Sequence, residues 1–152
     1  MSRAPLTPLE DALAAVLAQA QPLPGAAFVD LLQADGRVLA ADCIAPLQVP
    51  PLDNSAMDGY AVRSAEVAQA GTALPVSQRI PAGQVGTALQ VGTVARIFTG
   101  APLPPGADAI VMQEDCTVLD DGRVRFDAVP QPGPFVRSAG HAIALGSTAP
   151  QA

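Results

Sequence analysis

Apolar residues near the start of the chain recur every three or four positions. They are Leu9, Leu13, Val16, Leu17 and Ala20. This spacing places them on one face of a helix. Thr7 can cap the helix, Pro8 suits its first turn, and Glu10 can complete a capping box. The pattern therefore predicts an amphipathic α-helix from about Pro8 to Ala20.

Between this helix and Pro46, short apolar runs alternate with polar residues and glycine. The run AAFVDLL (residues 26–32) predicts a strand, and ADGRVLAAD (34–42) predicts a brief helix. CIAPL (43–47) predicts a second strand. This segment is therefore expected to be mixed, with two strands and one short helix.

After Pro46 the pattern changes to strand-like runs at short spacing, with glycine and proline turns between them. The runs are GYAVR (59–63), ALPVSQRI (73–80), TVARIFT (93–99), DAIVMQED (108–115), CTVL (116–119) and RVRFDAV (123–129). Asp120-Asp121-Gly122, between the last two runs, is the strongest hairpin signal in the chain. Short strands separated by such turns predict a β-rich domain, either a barrel or curled sheets. The predicted fold class is α+β and β-rich, with irregular, curled or bifurcated antiparallel sheets and one amphipathic N-terminal helix.

The composition agrees with a folded chain and limits its partners. Of 152 residues, 49% are hydrophobic and 14% are charged, which disfavours wholesale disorder. The net charge is −6, and all eight basic residues are arginines, with no cluster of them along the sequence. Such a chain is a poor candidate for binding nucleic acid or an anionic membrane. A phosphorylated substrate would need positive charge from a metal ion, a helix N-terminus or another chain.

The cysteines and the N-terminus favour a cytoplasmic protein. Cys43 and Cys116 are far apart and lack metal-ligand spacing, and two cysteines are too few for a disulfide framework. We therefore expect free, buried thiols. Glu10 and Asp11 interrupt the N-terminal apolar segment, which argues against a signal peptide. No apolar run reaches the roughly 18 residues that a transmembrane helix needs.

The stretch PLDNSAMDGYAV (51–62) concentrates polar side chains in a chain that is poor in charge. Asp53, Asn54 and Ser55 are residue types that close tight turns, and a purely structural role is one interpretation of them. Asp58 and Gly59 directly precede a predicted strand. A turn there could present a carboxylate beside a backbone that can approach a ligand closely.

A second candidate loop is RIFTGAPLPPGADAIV (96–111). Thr99 and Gly100 follow a predicted strand and offer a hydroxyl and unobstructed amides, which suit an oxyanion. The three prolines that follow hold the loop extended, so little entropy is lost on binding. The alternative is a proline-stiffened connection between two strands.

Familiar catalytic motifs are absent from the rest of the sequence. His141 is the only histidine, and the sequence places no nucleophile near it, which argues against a Ser-His-Asp or Cys-His site. There is no Walker phosphate loop and no G-x-G-x-x-G motif. The candidate chemistry therefore lies in the two loops.

Three stretches together resemble a known family. DNSAMDGYAV (53–62), RIFTGAPLPPGADAIVMQED (96–115) and GPFVRSAGHAI (133–143) occur in this order, and they are similar to the N-terminal part of the molybdopterin molybdenumtransferases. These form the MoeA family, which includes the gephyrin E domain. The resemblance implies molybdenum cofactor biosynthesis, with molybdate and adenylylated molybdopterin as substrates. Molybdate would be inserted and AMP released with a divalent cation, usually Mg²⁺.

The resemblance also implies site residues. Asp58 and Thr99 match active-site positions of the family and are expected to be catalytic, with Asp58 also the candidate Mg²⁺ ligand. Gly59, Gly100 and Ser55 are expected to bind substrate. The sequence departs from the family at Ala142, where an acidic residue is usual.

Family members are longer, so the resemblance implies a domain plan. Residues 1–45 would open an elongated first domain, 46–137 would form a β-rich second domain, and 138–152 would return into the first. The pterin-binding and C-terminal domains would be absent from this chain.

The same resemblance implies partners. The family forms homodimers with composite sites, works with molybdopterin adenylyltransferase, and supplies molybdoenzyme apoproteins. We therefore expect this chain alone to be an incomplete enzyme. A non-catalytic binding module and an inactive remnant of the family remain the alternatives.

Overall fold

A computed structural model describes residues 7–21 and 24–148, which fall into two compact units. The first unit spans Met1–Ala41 and the second spans Asp42–Ala152. Within residues 7–21 and 24–41, the regular structure of the first unit is helix α1 (Leu9–Gln19) and one 3₁₀ turn (Leu31–Gln33). Among the described residues, no helix is both long and apolar enough to cross a membrane.

Helix α1 is confirmed, but its predicted cap is not. The N-cap residue is Pro8, in an extended conformation, and no side chain caps the helix. Because Pro8 takes the cap position, Thr7 lies outside it and the predicted capping box with Glu10 does not form. No residue of α1 is buried, and Leu9 is 82% exposed. The amphipathic role of the helix therefore stays a prediction.

The other predictions for residues 26–47 are wrong. Residues 26–32 form no strand and 34–42 form no helix. Asp30 instead accepts a hydrogen bond from the backbone N–H of Leu32 at 3.0 Å, which favours a local turn over extended structure. Residues 43–47 contribute one isolated bridge, Ile44 with Thr148, because Pro46 cannot donate to a strand ladder.

In the second unit, each of the six predicted strand runs contains a strand. Six strands form one sheet in the order β5-β2-β4-β3-β7-β6, and β1 pairs with β8. The strands are β1 (Asn54–Ser55), β2 (Gly59–Val62), β3 (Ala73–Ile80), β4 (Val94–Ile97), β5 (Ala109–Met112), β6 (Cys116–Val118), β7 (Arg123–Phe126) and β8 (Val136–Arg137).

The sequence predicted antiparallel sheets, but the six-stranded sheet is mixed. Strands β3 and β4 pair in parallel, with a register shift between Val76 and Gln78. The first three residues of β3 pair with β7, and the rest pair with β4. This change of partner within one eight-residue strand curls the sheet, as irregular register does elsewhere.

The core lies on both faces of β2. All four residues of β2 are buried. Tyr60 and Val62 pack on one face with Phe126, whose ring meets Tyr60 edge to face at 6.3 Å. Ala61 packs on the other face with Ile97. Burial on both sides explains why this strand reads as an almost continuous apolar run.

The predicted hairpin between β6 and β7 is confirmed. Leu119 N–H donates to the Arg123 carbonyl at 2.8 Å, and Gly122 N–H donates to the Leu119 carbonyl at 2.9 Å. Gly122 has φ of +81°, a conformation that favours glycine. The Asp121 carboxylate caps the turn, and its hydrogen bonds from Arg123 lower its pKa.

The expectation of two buried thiols is wrong for Cys43, which is exposed. Cys43 precedes an isolated bridge rather than a core strand, so no sheet covers it. Cys116 is partly buried against the core. Burial, and then the nearby Asp115 charge, raise the pKa of the Cys116 thiol to about 12, so it stays protonated near neutral pH.

Candidate functional site

The two candidate loops meet at one edge of the six-stranded sheet. Gly59 begins β2, and it pairs with Ile97 at the end of β4 and with Met112 at the end of β5. Asp58 and Thr99 therefore lie just beyond the same edge, although the sequence separates them by 41 positions.

The Asp58 carboxylate and Thr99 form a direct pair. Asp58 Oδ1 accepts hydrogen bonds from the Thr99 backbone N–H and from the Thr99 hydroxyl, both at 2.8 Å. The backbone bond first, then the hydroxyl bond and the Arg96 charge, lower the pKa of Asp58 below its ordinary value of 3.8. Asp58 is half-buried, and its Oδ2 makes no hydrogen bond among the described residues. Asp58 is thus an oriented anion with one oxygen available.

Ser55 and Gly100 join the two loops through their backbones. Gly100 N–H donates to the Ser55 carbonyl at 2.8 Å, and Ser55 N–H donates to the Ala101 carbonyl at 2.9 Å. The Gly100 amide suggested as an oxyanion donor is therefore engaged within the protein. The Ser55 hydroxyl is fully buried and donates to the Met57 carbonyl. Substrate binding by Ser55 and Gly100 stays a prediction, beside this structural role.

Asp53 supports the turn, in agreement with the structural interpretation of its stretch. Its Oδ1 accepts a hydrogen bond from Ala139 N–H at 2.7 Å, and its carbonyl accepts one from Leu103 N–H at 2.8 Å. Asn54 pairs with Arg137 in the small β1–β8 sheet. Its side-chain oxygen is buried and has no hydrogen-bond partner within the described part of the chain.

Gly59 is required by the packing of its own sheet. A Cβ atom at this position would lie 2.0 Å from the Val111 carbonyl oxygen, a distance that no real contact allows. The sequence suggested that the Gly59 backbone approaches a ligand closely. In the structure, its close approach is to strand β5. A role in binding substrate stays a prediction.

Sequence reasoning missed Arg96, whose side chain contacts the backbone next to the Asp58–Thr99 pair. Its guanidinium donates to the Gly59 carbonyl at 3.0 Å and to the Gln113 side-chain oxygen. The guanidinium carbon lies 5.2 Å from the Tyr60 ring centroid and 4.6 Å from that of Phe98. Arg96 thereby fixes the backbone next to Asp58.

Arg79 joins Arg96 at this edge, although the arginines form no cluster along the sequence. The two residues are register partners across the parallel β3–β4 pair. The Arg79 guanidinium carbon also lies 4.6 Å from the Phe98 ring centroid. The sequence indicates that residues 96 and 98 share one face of a strand. It does not reveal the parallel β3–β4 register that brings Arg79 beside Arg96.

His141 and Ala142, which the sequence analysis also singled out, form hydrogen bonds away from Asp58 and Thr99. His141 N–H donates to the Ser138 carbonyl, and Ala142 N–H donates to the Val49 carbonyl. His141 is exposed, and its side chain makes no hydrogen bond within the described residues. Neither residue contacts Asp58 or Thr99 through a hydrogen bond.

Asp58 is suited to act as a single protein ligand of a metal ion at this edge. Within residues 7–21 and 24–148, no three or more His, Cys, Asp and Glu side chains cluster to hold a metal. The available oxygen of Asp58 is a suitable Mg²⁺ ligand. Mg²⁺ is usually bound through one or two carboxylates, with substrate phosphates and water completing its octahedron. The geometry therefore fits an ion shared with a substrate.

Comparison with known proteins assigns the sequence to a family. Residues 7–152 match the MoeA N-terminal region, described as domains I and II. The chain is 46% identical over 128 residues to molybdopterin molybdenumtransferase 2 of Mycobacterium tuberculosis. It is 36% identical over 119 residues to the molybdopterin molybdenumtransferase of Haemophilus influenzae. These matches cover 79% and 78% of this chain, but only 31% and 30% of the relatives.

The fold gives the same assignment. The chain is similar to the crystal structure of the molybdopterin biosynthesis MoeA protein from Pyrococcus horikoshii OT3, with a TM-score of 0.79 and 30% sequence identity. The similarity covers 95% of this chain and 39% of that one, so it includes the curled sheet and the helix. Because sequence and fold agree over most of its length, the chain belongs to the MoeA family and corresponds to its N-terminal region.

Proposed function

We propose that this chain acts in molybdenum cofactor biosynthesis, where it supplies part of the site that inserts molybdate into adenylylated molybdopterin with release of AMP. The observation that carries the proposal is the Asp58 carboxylate, held by two hydrogen bonds from Thr99 at the sheet edge. The relatives named molybdopterin molybdenumtransferase support the reaction class.

Asp58 suits this role because its charge and orientation are fixed before any substrate arrives. The Thr99 hydrogen bonds keep the carboxylate ionised, and they occupy only one of its two oxygens. The second oxygen can orient a water molecule or act as a ligand of Mg²⁺. When bound, Mg²⁺ would supply positive charge to a polyanionic substrate.

Thr99 acts mainly on Asp58 in this arrangement. Its hydroxyl donates to Oδ1, so its proton is not available to an oxyanion while that bond is made. A hydroxyl that donates can still accept a hydrogen bond through its lone pairs. Thr99 therefore positions the carboxylate and leaves an acceptor facing solvent.

Membership of the MoeA family supports proposals about the composite site, the partners and the domain plan. The site would be composite, with the second half contributed by a pterin-binding domain across a homodimer. Molybdopterin adenylyltransferase would supply the substrate in the cytoplasm, and molybdoenzyme apoproteins would receive the product. Residues 1–45, 46–137 and 138–152 would be the opening segment, the β-rich domain and the return segment.

The first prediction is that the isolated 152-residue chain does not insert molybdenum. At a net charge of −6 the chain repels a polyanionic substrate, and the acid expected at Ala142 is missing. The purified chain is mixed with adenylylated molybdopterin, molybdate and Mg²⁺, and an apo-molybdoenzyme reports active cofactor. Activity is expected only after addition of a family member that is inactivated at the aspartate matching Asp58. Turnover without a second protein would contradict the composite site.

The second prediction concerns Asp58→Asn in a chimera whose N-terminal region, taken from this chain, replaces that of the Mycobacterium tuberculosis relative. The amide keeps an acceptor for Thr99 but removes the charge. We expect molybdenum insertion to fall about 100-fold or more, with an unchanged melting temperature. Asp120→Asn in the β6–β7 turn removes the same charge and should retain activity. Equal activity of the two variants would reduce Asp58 to a turn residue.

The third prediction concerns Thr99→Val in the same chimera. Valine preserves the shape and the backbone hydrogen bond but removes the hydroxyl bond to Asp58. Turnover should fall about tenfold or more, since a charge-assisted hydrogen bond is lost at the site. Thr117→Val, which removes a hydroxyl contact with Arg125, serves as the control. A sharp fall in melting temperature without a selective loss of turnover would make Thr99 a structural residue.

A further inference from the structure

Two arginine side chains share one aromatic ring beside the candidate site. Arg79 and Arg96 are register partners on adjacent strands, and each guanidinium carbon lies 4.6 Å from the Phe98 ring centroid. The two cationic groups are therefore separated by no more than twice that distance. Like charges on directly paired positions destabilise a sheet, so their placement needs a compensating interaction.

Within residues 7–21 and 24–148, no carboxylate lies in ion-pair contact with this pair. Neither arginine forms an ion pair with any Asp or Glu of the described residues, whereas Arg63, Arg123 and Arg125 each do. The ring of Phe98 stabilises both guanidinium groups through its face, but it does not neutralise them. In a chain of net charge −6, this leaves a local concentration of positive charge.

Both guanidinium groups keep donors for a ligand. Arg96 uses two N–H groups for the Gly59 carbonyl and the Gln113 side chain, and a guanidinium has five. Arg79 is exposed and makes no side-chain hydrogen bond within the described part of the chain. Guanidinium groups match the oxygens of phosphate-like anions in geometry and charge.

The pair lies at the same edge of the sheet as the site. Arg96 is the register partner of Tyr60, and its guanidinium holds the Gly59 carbonyl, one residue after Asp58. Thr99 directly follows Phe98 in the chain. The Arg96 charge acts on Asp58, since it helps to lower the pKa of that carboxyl, so an anion bound at Asp58 lies within range of Arg96. Arg79 shares the Phe98 ring with Arg96.

We propose that Arg79 and Arg96, held against Phe98, form a binding subsite for a tetrahedral oxyanion, either molybdate or a phosphate group of the substrate. The subsite deepens the proposed function and rests on it for the identity of the ligand. Its positive charge would offset the repulsion between Asp58 and an anionic substrate.

The test is an NMR titration of the ¹⁵N-labelled 152-residue chain that follows the Nε–Hε signals of Arg79 and Arg96. Sodium molybdate, inorganic phosphate and AMP are added in separate arms at constant ionic strength, because screening alone alters exposed charges. We expect saturable shifts of both signals with at least one anion. Saturation by molybdate alone identifies the metal oxyanion, and saturation by phosphate or AMP identifies a substrate phosphate.

Variants separate a built subsite from general charge attraction. Arg79→Gln should raise the apparent Kd about tenfold or more, since it removes charge-assisted hydrogen bonds, and it leaves the contacts of Arg96 in place. Arg125→Gln is the matched control. It removes the same charge from β7, opposite Ala73, roughly 20 Å along β3 from Arg79. It should leave the Kd unchanged.

Two results would overturn the proposal. One is the absence of saturable shifts with all three anions, and the other is equal weakening by Arg79→Gln and Arg125→Gln. Because the titration measures binding without turnover, its outcome is independent of the chimera assays. Loss of the subsite with a functional Asp58 would remove only this inference, and a dispensable Asp58 with an intact subsite would remove only the catalytic proposal.

Discussion

The two hydrogen bonds from Thr99 to the Asp58 carboxylate are the contact on which the candidate site depends. They connect loops that are far apart in sequence, and they form because Gly59 and Ile97 pair at the same sheet edge. The packing of β2 against β5 on its other side requires a glycine, since any side chain at position 59 would collide with the Val111 carbonyl. The arrangement of the site is therefore set by strand register and by one small residue.

The balance of charge around Asp58 is the second constraint on the candidate site. A carboxylate repels molybdate or a phosphate unless positive charge lies close to it. The structure places Arg96 against the Gly59 carbonyl and Arg79 beside it on Phe98. An acidic chain can thus present a cationic edge at one place without any cluster of basic residues in its sequence.

The sequence predicted the six strands of the main sheet well because apolar and β-branched runs there are separated by clear glycine and proline turns, whereas the short strands β1 and β8 were not predicted. Residues 73–80 form a strand with the predicted bounds, and the Asp-Gly turn closes the β6–β7 hairpin. The failures have physical reasons. Residues 26–47 are short apolar runs that fit helix or strand equally, and local turns form there instead. The parallel β3–β4 pairing depends on contacts distant in sequence, so the sequence did not predict that Arg79 and Arg96 lie side by side.

The site itself was only partly readable. Asp58 and Thr99 were identified because they lie in motifs that resemble a family, and the structure shows them in contact. The buried hydroxyl of Ser55 and the engaged amide of Gly100 could not be foreseen, because the residue type alone does not reveal which partner a polar group takes. Arg96 carried a weak signal, its position two residues before Phe98 on one face of a strand.

The most direct test of this account is a ¹³C NMR titration of the Asp58 carboxyl group in the 152-residue chain. We expect a pKa below 3.8, because the Thr99 N–H, the Thr99 hydroxyl and the Arg96 charge all favour the carboxylate. A lowered pKa means that this group stabilises the fold above pH 3.8 and that the contribution disappears as pH falls through the folded-state value. A pKa at or above 3.8 would show that the contact with Thr99 is not made and that Asp58 is not the oriented anion that the candidate site requires.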